Sequence, residues 1–435
     1  MFPFMIRIYG IGGYEEVGRN MTCIEVNDEA IILDMGLYMD RFVALQEKDI
    51  EMSYENLLAE DAIPYDGVIN HLKNKIKGIV VSHAHLDHIG AIKWLYSRYN
   101  VPIITTPYTA EIIEKNVKVK KLIRVNINSG YKFSKNIAID FINVTHSVPQ
   151  ASIINVKTKY GSILYGLDYK NDSHPIVGRK TNMKKLKELD DVLLLIADST
   201  NADEEKKTFS EIIAKEMLRD IMLGMETDGK AIFITTFSSH IARHKSILAI
   251  AKMLGRKAVF IGRSMYDYIE SAEKLKIVDF SEAEKIKIPK RSSKKLEELN
   301  KKKNEYVFIV TGGMGEKNAV LTQLADDRLP LKIEPQDFII FSCNVIPTPT
   351  IQANRKILEQ KLHRKKARIF KDIHVSGHAA REELRDLIKI TQPRHILPAH
   401  GSIDKTAAMA ALAHEMGYEL GKNIHLIQNG QGIVI

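Results

Sequence analysis

The sequence predicts an α/β protein in two unlike parts, a strand-rich first stretch of about 200 residues and a second unit of alternating strands and helices. Two observations predict it. Short apolar, β-branched runs recur at 4–9, 22–26, 30–33, 78–81, 137–144, 151–156, 162–165 and 192–197, each bounded by turn residues. From about Ser210 the rhythm changes. Helical patterns at 211–225, 241–254, 266–275, 319–325 and 351–362 then enclose strand patterns at 231–235, 258–261, 307–311 and 338–341. Such βα alternation predicts a parallel sheet with helices on its faces.

Within the first part, Ile89, Ile92, Leu95 and Tyr99 have near-helical spacing and predict one helix after His88. Several strands end in a polar residue that a strand does not require: Asp34, Ser82, Asp168 and Asp198. Reactive groups on loops at the ends of a rigid sheet are where active sites gather. After about Phe370 come two His-bearing loops and a helical pattern at 405–416.

The composition excludes several classes. Hydrophobic residues make up 45% and charged residues 27% of 435, which fits a globular protein with a sizeable core. Lys+Arg exceed Asp+Glu by 63 to 54, for a net charge of +9, a balance compatible with a polyanionic partner. The two cysteines, Cys23 and Cys343, form neither a disulfide framework nor a C-x-x-C site. With no signal-peptide pattern and no run of 18 apolar residues, the expectation is a cytoplasmic protein without a membrane span. Two Lys-rich stretches, 284–304 and 361–371, read as solvated surface or as a rim that contacts phosphates.

Chemistry concentrates in Ser82-His83-Ala84-His85-Leu86-Asp87-His88, on the loop after an apolar strand. Imidazole and carboxylate are ligands for zinc or manganese. The H-x-H spacing lets two rings approach one metal, and Asp87 and His88 can turn to a second. Further ligands come from His146 just past a strand, Asp168 at the end of the next strand pair, and His400 late in the chain. A carboxylate such as Asp168 can bridge two metals. Asp34 is placed behind the ligands, fixing an imidazole by a hydrogen bond.

Asp34, the H-A-H-L-D-H run, His146 and Asp168 together resemble motifs one to four of the metallo-β-lactamase superfamily. Ala197-Asp198-Ser199-Thr200-Asn201, His374-Val375-Ser376-Gly377-His378-Ala379 and Pro398-Ala399-His400-Gly401 resemble motifs A, B and C of its β-CASP nucleases. The S-G-H form of motif B, with the segment Gly12-Gly13-Tyr14-Glu15-Glu16-Val17-Gly18-Arg19-Asn20, is most similar to the ribonuclease J family in its shorter, archaeal form. The resemblance implies an αββα sandwich at 1–205 and 371–435 with an inserted α/β β-CASP domain at 206–370. In Thr311-Gly312-Gly313-Met314-Gly315-Glu316, Met stands where bacterial relatives are expected to have Gln, which leaves that loop's substrate contact open.

The resemblance also implies roles. One divalent metal would be held by His83, His85 and His146, the other by Asp87, His88 and His400, with Asp168 shared; zinc is expected, manganese the alternative. His378, Asp198 and Asp87 would be catalytic. Ser239, Ser376, Gly377 and His378 would bind a 5′ phosphate, with His374 also on the RNA. The activity implied is 5′-to-3′ exonucleolytic hydrolysis of single-stranded RNA; whether the chain acts as a homodimer or larger homo-oligomer is left open by the sequence. An endonuclease resembling the cleavage and polyadenylation specificity factor, and a non-enzymatic RNA-binding subunit, are the competing readings.

Overall fold

A computed structural model describes residues 6–227 and 229–435, so the first two positions of the strand expected at 4–9 lie outside the described residues. Among those described, the strands form three sheets. The first runs edge to edge as Gln431–Val434, Ile6–Gly12, Met21–Val26, Glu29–Leu33, Ile76–Val81, Ile103–Thr105 and Leu122–Arg124, antiparallel up to Glu29–Leu33 and parallel beyond it. The second runs His395–Ala399, Val192–Asp198, Gly161–Gly166, Ser152–Thr158, Ala138–Asn143 and Gly130–Lys132.

Alternation along the strands decides how these sheets pack. Ile31, Leu33 and Val80 of the first sheet share a buried cluster with Phe141, Ile154, Tyr165 and Leu194 of the second. Their neighbours Ile32 and Ile79, and Ile153 and Leu195, face the other way, into a cluster with helical residues such as Leu45, Ile112, Leu384 and Ile388. The result is the αββα sandwich.

The third sheet is parallel throughout, ordered Glu284–Ile286, Lys257–Ile261, Tyr306–Val310, Ile232–Thr235, Phe338–Phe341 and Arg368–Phe370. Helices Glu211–Gly224, Ile241–Met253, Arg263–Lys274 and Pro349–Arg364 belong to this unit. The change of rhythm read at Ser210 has a local cause: its hydroxyl caps the first helix by accepting from the Ile212 amide and also donates to Asp172.

Two expectations change. The helix after His88 is two short ones, Leu86–Ile89 and Ile92–Leu95. The chain breaks between them because the Ala91 amide donates to the Met35 carbonyl, not into its own helix. The two basic stretches are also less open than their composition implies. Lys285, Lys295 and Lys303 pair with Glu273, Glu284 and Asp337, and Lys361, Lys365 and Lys371 with Asp326, Asp327 and Glu359. No helix among the described residues is long and apolar enough to cross a membrane.

Candidate metal centre

Strand direction assembles the site. Ala138–Asn143 and Gly161–Gly166 both run antiparallel to Ser152–Thr158, while Val192–Asp198 and His395–Ala399 run parallel to Gly161–Gly166. Their carboxyl ends therefore share one edge, which carries His146, Asp168, Asp198 and His400. Asp198 lies in register with Ala399. In the first sheet, parallel pairing of Glu29–Leu33 with Ile76–Val81 sets Asp34 beside Ser82 and the loop that follows. Asp34 and His400 both have left-handed backbones, φ 59° and 56°, an uncommon conformation for non-glycine residues that clusters at functional sites.

Two groups of ligand-type atoms result, each within 4.8 Å of one another: His83, His85, His146 and Asp168, and Asp87, His88, Asp168 and His400. In the first, His85 Nδ1 lies 3.1 Å from His83 Nε2 and 3.0 Å from His146 Nε2, with Asp168 Oδ2 3.4 Å from each Nε2. In the second, Asp168 Oδ1 lies 3.0 Å from His88 Nε2 and 3.4 Å from His400 Nε2, with Asp87 Oδ2 3.5 and 3.7 Å from the same nitrogens. Both Asp168 oxygens and His400 Nε2 are buried without a hydrogen-bond partner. Buried polar atoms are seldom left so. Ring nitrogens and carboxylate oxygens turned toward common points fit a pair of divalent cations.

The opposite nitrogen of every imidazole in these groups is engaged, which fixes ring orientation and tautomer. His88 Nδ1 donates to Asp34 at 2.7 Å, and Asp34 also accepts from the Ser82 amide and hydroxyl, both at 2.8 Å. His83 Nδ1 meets the Ser82 hydroxyl at 3.0 Å, His146 Nδ1 donates to the Gly377 carbonyl at 2.7 Å, and His400 Nδ1 donates to Asn20 Oδ1 at 2.9 Å. His85 Nε2 lies 3.1 Å from the Ser239 hydroxyl and 3.2 Å from that of Ser147.

Electrostatics divide the two groups. Burial and the neighbouring rings push the imidazoles of His83, His85 and His146 down, that of His85 to about 3. Burial acts on His88 in the same sense, but Asp168, Asp87 and Asp34 raise it well above the usual imidazole range. Burial would raise the Asp168 carboxyl; His88, His400, His378 and His83 hold it well below the usual carboxylate range instead.

His378 faces the cluster from motif B. Its Nδ1 donates to Asp198 at 2.9 Å, its Nε2 points to Asp168 Oδ2 at 3.6 Å, and its ring stacks on His400. Burial would lower this imidazole, yet Asp168 and Asp198 raise it to about 9. Next to it, Ser376 Oγ accepts from Asn201 Nδ2 and from the His378 amide, both at 3.0 Å, which leaves its O–H to donate. Gly377 sits so close to His146 that a Cβ would lie 3.0 Å from that ring. His374 is packed edge-on against Phe237, its Nδ1 buried without a partner. In the Gly312–Glu316 loop, Met314 is buried with Cys343 and Ile351, and Arg355 Nη1 donates to the Gly313 carbonyl.

Some supporting residues escaped the sequence reading. Asn20 was noted only within its motif. Arg243, wholly buried, binds Glu211 through two nitrogens at 2.5 and 3.0 Å and donates to the carbonyls of Ser342 and Ile373, just before His374. Tyr268 of the insert donates to the Ala84 carbonyl at 2.9 Å. Of these three, only Asn20 lies in a run with a legible motif.

Comparison with known families agrees with this architecture. Residues 15–147 match the metallo-β-lactamase superfamily, 229–360 the ribonuclease J β-CASP domain, and 363–426 the Zn-dependent metallo-hydrolase RNA specificity domain. A relative named Ribonuclease J from Methanocaldococcus jannaschii is 42% identical over 98% of both chains. Another, from Pyrococcus abyssi, is 41% identical over 99% of this chain and 97% of the relative. A crystal structure of a protein of unknown function from Enterococcus faecalis V583 shares the fold, with a TM-score of 0.67 and 17% identity over 99% of this chain and all of that one. With its three-sheet architecture and its paired His/Asp groups, the chain belongs to the ribonuclease J family, in the β-CASP branch of the metallo-β-lactamase superfamily.

Proposed function

We propose that this metal-dependent ribonuclease degrades single-stranded RNA mainly from the 5′ end, prefers a 5′ monophosphate and releases mononucleotides. The observation that carries this reading is the placement of Ser239 and Gly377 against ligand rings, with Ser376 next to Gly377 in the chain. Ser239 touches His85, Gly377 touches His146, and Ser376 keeps a free O–H. Hydroxyls and a close backbone suit a compact anion.

His83, His85 and His146 would hold one cation and Asp87, His88 and His400 the other, with Asp168 between them. Zinc suits this nitrogen-rich set, and manganese is the alternative. Such a pair supplies Lewis acidity toward the scissile phosphate and lowers the pKa of water to about 7. The chain does the rest. Asp198 orients His378 and keeps it protonated, so that Nε2 can donate to a phosphate oxygen or to the departing 3′ oxygen. Asp34, Ser82, Asn20 and the Gly377 carbonyl keep the ligand rings in place. We place the insert at 206–370, between the two core segments.

The test is digestion of end-labelled RNAs bearing a 5′ monophosphate, triphosphate or hydroxyl, with a circular RNA alongside. Mononucleotides appearing in order from monophosphorylated RNA, with the circle intact, are expected. Rapid cleavage of the circle would replace this reading with the endonuclease.

A further inference from the structure

Five imidazoles line the two ligand groups, and four of them are oriented from within the sandwich. His85 is different. Its ring nitrogen Nε2 meets Ser239, which belongs to the loop after insert strand Ile232–Thr235, as well as Ser147 of the core. Its backbone is also reached from the insert. The peptide unit joining Ala84 to His85 presents its carbonyl to the hydroxyl of Tyr268, on helix Arg263–Lys274. That helix is tied down in turn: the Tyr108 hydroxyl, on core helix Pro107–Asn116, donates to the Tyr268 carbonyl at 3.1 Å, and Lys274 pairs with Glu111 at 2.6 Å.

We propose that Tyr268 is a positioning residue through which the inserted unit sets the first metal subsite (His83, His85, His146) while leaving the second (Asp87, His88, His400) to the sandwich. This rests on the metal-site reading above. A hydrogen bond to the Ala84 carbonyl fixes the plane of the peptide that carries His85, and Ser239 fixes the ring's far nitrogen. Both contacts hold only while insert and sandwich are docked. His88, by contrast, leans on Asp34 of the sandwich. The first subsite is therefore complete only in the docked arrangement, and the second is complete in either.

Metal-free protein titrated with zinc against a chromophoric chelator reads the two equivalents separately, without reference to ribonuclease activity. Tyr268→Phe keeps the ring and removes the hydroxyl. It should weaken one equivalent roughly ten-fold, the lower end of the loss seen when a contact behind a ligand is removed, and leave the other unchanged. Tyr108→Phe, which loosens the same helix from one step away, should act in the same direction and less. Lys274→Ala cuts the other tie of that helix to the core, through a lysine that is mostly solvated, and should act in the same direction more weakly still. Two unchanged equivalents in both Tyr variants, or equal weakening of both equivalents, would overturn the proposal. If Tyr268→Phe does not fold, Tyr108→Phe decides alone. Wild-type protein that takes up no zinc would refute the metal-site reading itself, a result distinct from these.

Discussion

The two ligand groups share Asp168 yet are held by opposite chemistry. Behind the second stands a carboxylate: Asp34 grips His88, and Asp87 and Asp168 lie on the ring's other side. Behind the first stand only neutral groups, the hydroxyls of Ser82, Ser239 and Ser147 and the Gly377 carbonyl. A carboxylate makes its imidazole a stronger base, whereas a hydroxyl only orients it. Burial and the neighbouring rings push His83, His85 and His146 down, while Asp168, Asp87 and Asp34 together push His88 up.

The largest expected effect joins the two groups. Asp168→Asn removes the one charge that both share, so zinc should be lost from both equivalents together. The loss should exceed the roughly 10–100-fold that an outer contact is worth. Elemental analysis after dialysis reads this directly. One equivalent retained at full strength would mean that the groups are independent sites.

His378→Ala comes next and sharpens the contrast between holding metal and using it. Turnover should fall by about 10²–10⁴-fold, the usual worth of a positioned general acid, with both zinc equivalents intact. Loss of zinc would move His378 into the ligand set, a placement its closeness to Asp198 and His400 makes worth testing.

Legibility in the sequence follows the same division. The second subsite and most of the first could be read because their ligands lie in short runs at strand ends, where His and Asp are conspicuous. Elements of the insert were legible where a helical period ran long, as in Ile241–Met253, or where a strand was apolar throughout, as in Phe338–Phe341. Strands of three residues, such as Ile103–Thr105 and Gly130–Lys132, are too short to display alternation. Tyr268 was illegible for another reason. Its partner is a backbone carbonyl 184 residues away, and a backbone group leaves no mark on residue type. Arg243 belongs to no legible motif, and only the fold buries it against Glu211.

Asp34→Asn mirrors the Tyr268 variant on the other subsite. It should weaken only the second zinc equivalent, by roughly 10–100-fold. The wild type also offers a pH test of the same asymmetry. A proton on His88 Nε2 competes with metal, so the second subsite's affinity should climb as pH rises from about 6 to about 8. His85, held at about 3, carries no proton to displace in that range, so the first subsite should change less. Equal slopes for both equivalents would break the comparison.

The smallest expected effect lies beyond the metals. Ser376 has both lone pairs occupied, by Asn201 and by the His378 amide, so its hydroxyl can act only as a donor. A donor with its acceptor sites filled is oriented before the substrate arrives, and an anion is what it suits. A hydrogen bond to a charged group contributes about 1.5–3 kcal/mol, of which a mobile terminal phosphate would realise the lower end. Ser376→Ala should therefore narrow the preference for 5′-monophosphorylated over 5′-hydroxyl RNA by about ten-fold. Its effect on cleavage once RNA is bound should be smaller, because the imidazole ring of His378 is still held by Asp198. The comparison needs competition between the two RNAs in one reaction, so that altered metal loading affects both alike. An unchanged preference, together with a slower rate on both RNAs, would place Ser376 among the residues that shape the His378 loop instead of those that meet the 5′ end.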